Sequence, residues 1–167
     1  MTTSWIGITT LSLTTGALIA VLPHLSDAPS NEIAHAVDAI DASIPEGKSK
    51  QDLKIYGNYN DGGYLEFRGY HSYLDPRAEV FIKANNGKAD VLEEWEDFQR
   101  NKIKLQDFLN KYNFDYLLVD SYDRQLYETQ DNGYEVIYEY TEYGQNDTTN
   151  RGIKVYKKIE TPDNQKT

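Results

Sequence analysis

The N-terminal region is set apart by its pattern: residues 1–26 contain no Asp, Glu, Lys or Arg, and charged residues begin at Asp27. Residues 5–22 form a run of 18 uncharged positions, of which 11 are apolar, five are Ser or Thr and two are Gly. At about 1.5 Å rise per residue, a helix of this length covers roughly 27 Å, close to the thickness of the hydrocarbon layer. The pattern predicts a membrane anchor helix within residues 1–26.

A cleaved signal peptide is the alternative interpretation, because the small residues before Pro29 fit a cleavage site. However, no Lys or Arg precedes the apolar run, whereas a signal peptide begins with a basic region. Ser12, Gly16 and Ala20 recur every four residues, a spacing of small residues that lets a second helix approach closely. We therefore expect a single-pass anchor in the cell membrane, packed against a partner such as a multi-pass membrane protein. The acidic remainder of the chain would then lie outside the cytoplasm.

Hydrophobic spacing in the rest of the chain predicts helices and strands that alternate. Ile33, Ala36, Val37 and Ile40 fall on one face of a helix over residues 32–43, and residues 62–69 fit either a short helix or an extended segment. Further helices are predicted at 90–98, 105–112 and 123–130, and strands at 53–59, 70–74 and 114–120.

The last predicted strands form a pair. In residues 134–143, Tyr and Val positions alternate with Glu and Ile positions, which predicts a strand with one face in water. Residues 153–159 return as its hairpin partner.

Strands separated by helices, followed by a terminal hairpin, predict an α/β fold. We expect a small, mostly parallel sheet with flanking helices and a C-terminal β-hairpin, preceded by one N-terminal transmembrane helix. In this division, residues 1–26 are the membrane anchor helix, residues 27–160 an extracytoplasmic α/β domain, and residues 161–167 a disordered tail.

The composition narrows the choice of function. With 27 acidic and 17 basic residues the net charge is −10, a poor electrostatic match to nucleic acid, so no nucleic-acid partner is expected. The chain contains no Cys, which excludes disulfides, thiolate metal sites and cysteine nucleophiles. The sequence contains no dense cluster of His and carboxylates and no phosphate-loop fingerprint. We expect neither a metal nor another cofactor.

The first candidate motif is a glycine pair, Gly62 and Gly63, at the end of a predicted strand. Open α/β sheets place their ligand crevices at strand ends, and glycines permit positive φ or close approach of another group. The N–H groups of a following helix would then hold an anion. A tight strand-to-helix turn without a ligand is the simpler interpretation.

The second motif is a charged corner, in which Pro76 holds Asp75 and Arg77 in fixed geometry. An ordered guanidinium suits a phosphate or a carboxylate, and the acid beside it suits sugar hydroxyls. The alternative is a structural ion pair that fastens the corner. We expect both motifs to converge at one edge of the sheet, and the ligand-binding candidates are Tyr59, Asp61, Gly62, Gly63, Asp75 and Arg77.

Three blocks in a fixed order resemble a known family. They are Tyr59, Gly62, Gly63, Tyr64 and Leu65, then Asp75, Arg77 and Ala78, then Lys111, Tyr112, Asp115, Tyr116 and Val119. Over residues 30–159 the chain resembles the C-terminal extracytoplasmic domain of bacterial multi-pass glycosyltransferase-like membrane proteins of the GT-C, dolichyl-phosphate-mannose type. Pro76 departs from the pattern, since a small residue, often Gly, is usual there.

The resemblance implies an accessory or binding domain that serves cell-envelope glycan assembly. In such transferases the acidic catalytic residue lies in an early extracytoplasmic loop among many helices, and this sequence contains one predicted membrane helix and no such loop. No catalytic residue is therefore assigned, and catalysis by this chain alone is not expected. One alternative is a transferase fragment that binds a lipid-linked sugar or an acceptor, and the other is a structural partner without a ligand.

Overall fold

The computed structural model describes residues 31–127, 133–141 and 152–160. The predicted membrane anchor and the predicted tail lie outside these residues, as does the turn between the last two predicted strands. None of the helices built from the described residues combines the length and the hydrophobicity that crossing a bilayer requires.

The predicted elements occur in the predicted order, and residues 62–69, which fitted two interpretations, contain a helix. A short helix over Lys83–Asn86 was not predicted, and the strand predicted over 53–59 is reduced to Lys54–Tyr56. The predicted strand over 70–74 is reduced to two residues, because the chain turns where the Ser72 hydroxyl donates to the carbonyl of Leu74, 2.7 Å away. The described helices and strands are α1 (Asn31–Ser43), β1 (Lys54–Tyr56), α2 (Gly62–Phe67), β2 (His71–Ser72), α3 (Lys83–Asn86), α4 (Val91–Gln99), α5 (Leu105–Tyr112), β3 (Tyr116–Asp120), α6 (Arg124–Tyr127), β4 (Tyr134–Thr141) and β5 (Gly152–Lys158).

The described strands form one sheet in the order β2-β1-β3-β5-β4. β1 pairs in parallel with β2 and with β3, whereas β5 pairs antiparallel with β3 and with β4. The predicted α/β class, the flanking helices and the pairing of the two C-terminal strands are confirmed. The sheet is mixed rather than mostly parallel, because the C-terminal hairpin adds to the β3 edge of the three parallel strands with β5 antiparallel to β3.

Helices cover both faces of the sheet and bury two apolar cores. On one face α1 contributes Ile33, Ala36, Val37 and Ile40, all buried as their spacing predicted. On the other face the cluster joins α4, α5 and α6, and Phe98 stacks on Phe108 with ring centroids 4.1 Å apart. Residues of β3 alternate between the two cores, as expected for an apolar strand buried on both faces.

The alternation predicted for β4 is wrong at one point. The pairing with β5 shifts between Val136 and Tyr138, which marks a β-bulge. Beyond this bulge the faces change over, so Ile137 and Tyr138 both pack against the α1 side of the core while Val136 is exposed. A strict two-residue period had placed Val136 and Tyr138 on one face.

Candidate functional site

The strand order reverses at β1, because the next two strands in the chain lie on opposite sides of it, and this determines where a crevice forms. β2 lies on one side of β1 and β3 on the other, all three strands run parallel, and their carboxyl ends therefore share one edge of the sheet. Ligands of open α/β sheets bind at such a switch point. A pocket of about 140 Å³ lies there, lined by residues 58–60 after β1, by Trp95 and Gln99 of α4, and by Asp120, Tyr122 and Asp123 at the end of β3.

The floor of the pocket is a buried polar network around Asp123, whose exposed fraction is 2%. One carboxylate oxygen accepts hydrogen bonds from the Tyr56 hydroxyl at 2.8 Å and from the Gln99 amide at 2.9 Å. The other oxygen accepts from the Asn58 amide at 3.1 Å. These bonds join β1, α4 and the segment after β3, so the network holds three walls of the pocket in register.

Asn58 connects the loop after β1 to the two acidic residues at the end of β3. Its side-chain carbonyl accepts the backbone N–H groups of Asn60 and Asp61, both at 2.9 Å, and this shapes the loop. Its Nδ2 group donates to Asp120 at 3.0 Å and to Asp123. A single amide therefore fixes the loop and bridges two carboxylates.

Burial raises the pKa of Asp123 from 3.8 to about 6, and the negative charge of Asp120 acts in the same direction. Hydrogen bonds from Tyr56 and Asn58 oppose the shift without cancelling it. Burial also raises the pKa of the Tyr56 hydroxyl well above its ordinary value, which keeps this group a hydrogen-bond donor. Perturbed carboxyl groups inside a crevice are a physical mark of functional sites.

Aromatic side chains complete the lining. The Trp95 indole N–H donates to the Tyr56 hydroxyl at 3.1 Å, which fixes the position of its ring. Tyr122 is 67% exposed at the mouth of the pocket, and its backbone N–H donates to Asp120 at 2.8 Å. Tyr59 also lines the pocket. The site therefore combines hydrogen-bonding groups with three aromatic rings.

The predicted charged corner is an ion pair. The Arg77 guanidinium donates to both carboxylate oxygens of Asp75, and the Arg77 backbone N–H adds a third hydrogen bond at 2.8 Å. Glu66 lies 3.6 Å from the same guanidinium. The hydrogen bond from Arg77 is the main cause that lowers the pKa of the Asp75 carboxyl below 3.8. The Nε and Nη2 groups of Arg77 therefore already donate to Asp75, which leaves less of the guanidinium for a ligand.

The glycine pair and the charged corner lie side by side, as expected. A Cβ atom on Gly62 would lie 1.7 Å from the carbonyl oxygen of Leu74, and one on Gly63 would lie 3.2 Å from Pro76. The Tyr59 hydroxyl donates to the Pro76 carbonyl at 3.1 Å, and Tyr59 also lines the pocket. Of the six predicted residues, Tyr59 alone lines the pocket, while Asp61, Gly62, Gly63, Asp75 and Arg77 build the adjoining loop and corner.

No protein-family model, curated protein or solved structure matches the chain.

None of the five residues of the network was predicted as a site residue: Tyr56, Asn58, Gln99, Asp120 and Asp123. A signal for Asp120 was present, because an acidic residue follows directly on a strand that reads as buried. The contact of Asn58 with Asp123 joins positions 65 residues apart, and it depends on the pairing of β1 with β3. Among the described residues, no group of three or more His, Cys, Asp or Glu could hold a metal ion.

Proposed function

We propose that this protein is a membrane-anchored, extracytoplasmic accessory domain that binds a glycan during cell-envelope glycan assembly. In this proposal it is related to the tail domains of glycosyltransferase-like membrane proteins, and the glycan occupies the pocket between β1 and β3. The observation that carries the proposal is the lining of that pocket: the carboxylate of Asp120 and the amide of Gln99 beside aromatic rings. Sugars offer the complementary surfaces, since hydroxyl groups both donate and accept while the C–H faces are apolar.

The size of the pocket supports recognition of one small unit of a longer ligand. Its volume of about 140 Å³ is small beside the roughly 300–1,000 Å³ of pockets that enclose whole ligands. A terminal sugar residue or one of its substituents would enter, and the rest of the glycan would extend past Tyr122 into solvent. Binding of this kind suits an accessory domain that holds a glycan for another protein.

The charge of the pocket argues against a polyprenyl phosphate as the group inside it. None of the described residues that line the pocket is basic, and two of them are carboxylates. Arg77, the residue predicted to face a phosphate, is paired with Asp75 at the adjoining corner. The alternative of a lipid-linked sugar bound through Asp75 and Arg77 is therefore less well supported than sugar binding at Asp120.

Catalysis by this chain alone is not part of the proposal. Asp123 is buried, and each of its oxygens accepts a hydrogen bond from within the protein. A carboxylate held in this way orients its neighbours and is poorly placed to exchange protons with a ligand. Binding and positioning are the activities that this arrangement supports.

The experiment is a titration of the full chain with monosaccharides and short envelope glycans, followed by two-dimensional amide NMR. Tyr122→Ala should weaken binding about fivefold, since the exposed ring provides roughly 1 kcal/mol of apolar contact, without changing the melting temperature. Phe67→Ala is the matched control, because Phe67 is an aromatic residue 81% exposed outside the pocket. Absence of binding to every glycan would favour the structural partner without a ligand. Equal losses in the two variants would place the sugar elsewhere.

A further inference from the structure

We infer that the group recognised in the pocket between β1 and β3 is cationic, a protonated amine carried by the bound sugar and held against Asp120. This inference rests on the proposed glycan-binding function and specifies the chemical class of its ligand. It comes from the balance of charges and hydrogen bonds around the two carboxylates of the pocket.

The two carboxylates lack a cationic partner within the pocket. Asp120 and Asp123 are bridged by the neutral amide of Asn58, at 3.0 Å and 3.1 Å, and no basic residue is among the described residues that line the pocket. At the adjoining corner, by contrast, the buried carboxylate of Asp75 is paired with the guanidinium of Arg77. Negative charge taken partly out of water is costly unless a positive charge compensates it. A cationic ligand would supply that charge.

Asp120 has the free capacity to hold such a ligand. One of its oxygens accepts from the Tyr122 N–H at 2.8 Å and the other from Asn58, whereas a carboxylate has about four acceptor positions. Asp120 is also only half-buried, while Asp123 is fully buried and turned toward Tyr56 and Gln99. Asp120 is therefore the carboxylate that a ligand reaches.

The aromatic lining favours the same charge. Tyr59, Trp95 and Tyr122 are among the residues that line the pocket, and the faces of aromatic rings attract cations. An ammonium group among such rings, with a carboxylate as its hydrogen-bond acceptor, is bound by both effects. A neutral hydroxyl group would gain only the hydrogen bond. The net charge of −10 also draws cationic ligands toward the protein.

The test compares glucosamine, N-acetylglucosamine, glucose and methylammonium in titrations of the full chain at neutral pH. The protein is kept in a polyoxyethylene detergent, which carries neither sugar nor charge. We expect glucosamine to bind at least tenfold more tightly than glucose or N-acetylglucosamine, and its affinity to fall as salt is added. In the unaltered protein, raising the pH above the pKa of the amine should abolish the preference for glucosamine, because the amine is then neutral.

A charge-removing variant assigns the effect to one residue. Asp120→Asn should bring glucosamine down to the affinity of glucose, whereas Asp107→Asn, which removes an exposed carboxylate of α5 outside the pocket, should leave the preference intact. If Asp120→Asn fails to fold, the pH series on the unaltered protein still decides the question.

The outcomes separate this inference from the proposed function. Equal binding of glucose and glucosamine overturns the cationic group and leaves glycan binding in place. Methylammonium that binds as tightly as glucosamine supports the cationic group and removes the sugar from the proposed function. Absence of binding by all four probes at millimolar concentration overturns the cationic group, and the titration with short envelope glycans then decides the proposed function.

Discussion

At the scale of single residues, the two neighbouring glycines have different tasks. Neither needs a positive φ, since both lie in α2, and the reason for glycine is instead close approach. The backbone of Leu74 lies against the Cα of Gly62, whereas Gly63 faces the edge of the Pro76 ring. A prediction based on the Gly-Gly motif alone treats the two positions alike. The contacts show that glycine is required at Gly62 and is less strictly required at Gly63.

Gly62→Ala should therefore destabilise the protein strongly, by several kcal/mol, because a Cβ atom 1.7 Å from a backbone oxygen forces the corner away. Gly63→Ala is the matched control. Its Cβ would be 3.2 Å from a proline side-chain carbon, and alanine gains up to about 1 kcal/mol of helix propensity over glycine. Urea unfolding of both variants measures the difference. Similar losses of stability in the two variants would show that the contact with Leu74 is not what requires glycine at position 62.

The residue scale also shows what the amino-acid pattern can and cannot reveal about the site. Asp75 and Arg77 were recognisable as a pair, because they are two positions apart around a proline. Asp120 and Asp123 are close in the chain as well, but their role depends on Asn58, which is 62 residues from Asp120. Such a contact is created by the pairing of β1 with β3, and hydrophobic periodicity carries no information about which strands become neighbours.

At the scale of elements, the predictions succeeded where one physical signal dominated. The apolar face of α1 and the apolar residues of β3 each have one low-energy arrangement, in which their side chains are buried. The bulge in β4 was missed because Ile137 and Tyr138 are both apolar, and a pattern of apolar positions does not show where one extra residue is inserted. The length of β2 was overestimated because the aromatic residues at 70–74 continue past the turn after Ser72.

The corner after β2 leads to an element-scale prediction. Asp75 is buried with a side chain 2% exposed, and Arg77 covers it from the solvent side. Arg77→Ala should lower the melting temperature without changing the proposed glycan binding, since Asp75 would keep only the backbone N–H as a partner. Arg100→Ala, which breaks an exposed pair with Glu96 on α4, should change the melting temperature less. Loss of binding at an unchanged melting temperature in Arg77→Ala would instead assign the corner to the ligand.

At the scale of the whole molecule, the buried acid of the pocket makes global stability depend on pH. The folded-state pKa of Asp123 is raised from 3.8 to about 6, so the folded protein holds this proton more tightly than the unfolded chain. Its contribution to the free energy of unfolding is present in full below about pH 3.8 and is lost as the pH rises through 6. The shift corresponds to about 3 kcal/mol.

Denaturant unfolding between pH 4 and pH 7 should therefore show this loss in the unaltered protein and a flatter profile in Asp123→Asn. Asp41, Asp52 and Asp75 have lowered pKa values, so their contributions are lost toward acid pH, in the opposite direction to that of Asp123. The slope of stability with pH is the measured quantity, because the amide of the variant also alters the hydrogen bonds from Asn58 and Gln99. Parallel profiles would show that Asp123 titrates normally.

The bulge in β4 has a further consequence for how copies of the molecule meet. β4 ends the sheet formed by the described strands, and an end strand of eight residues with regular spacing is a template onto which another chain can add. The irregular spacing at Val136 and Tyr138 interrupts that template, and the exposed acids Glu135 and Glu139 repel an identical strand. The irregularity therefore protects the protein against aggregation through its β4 edge.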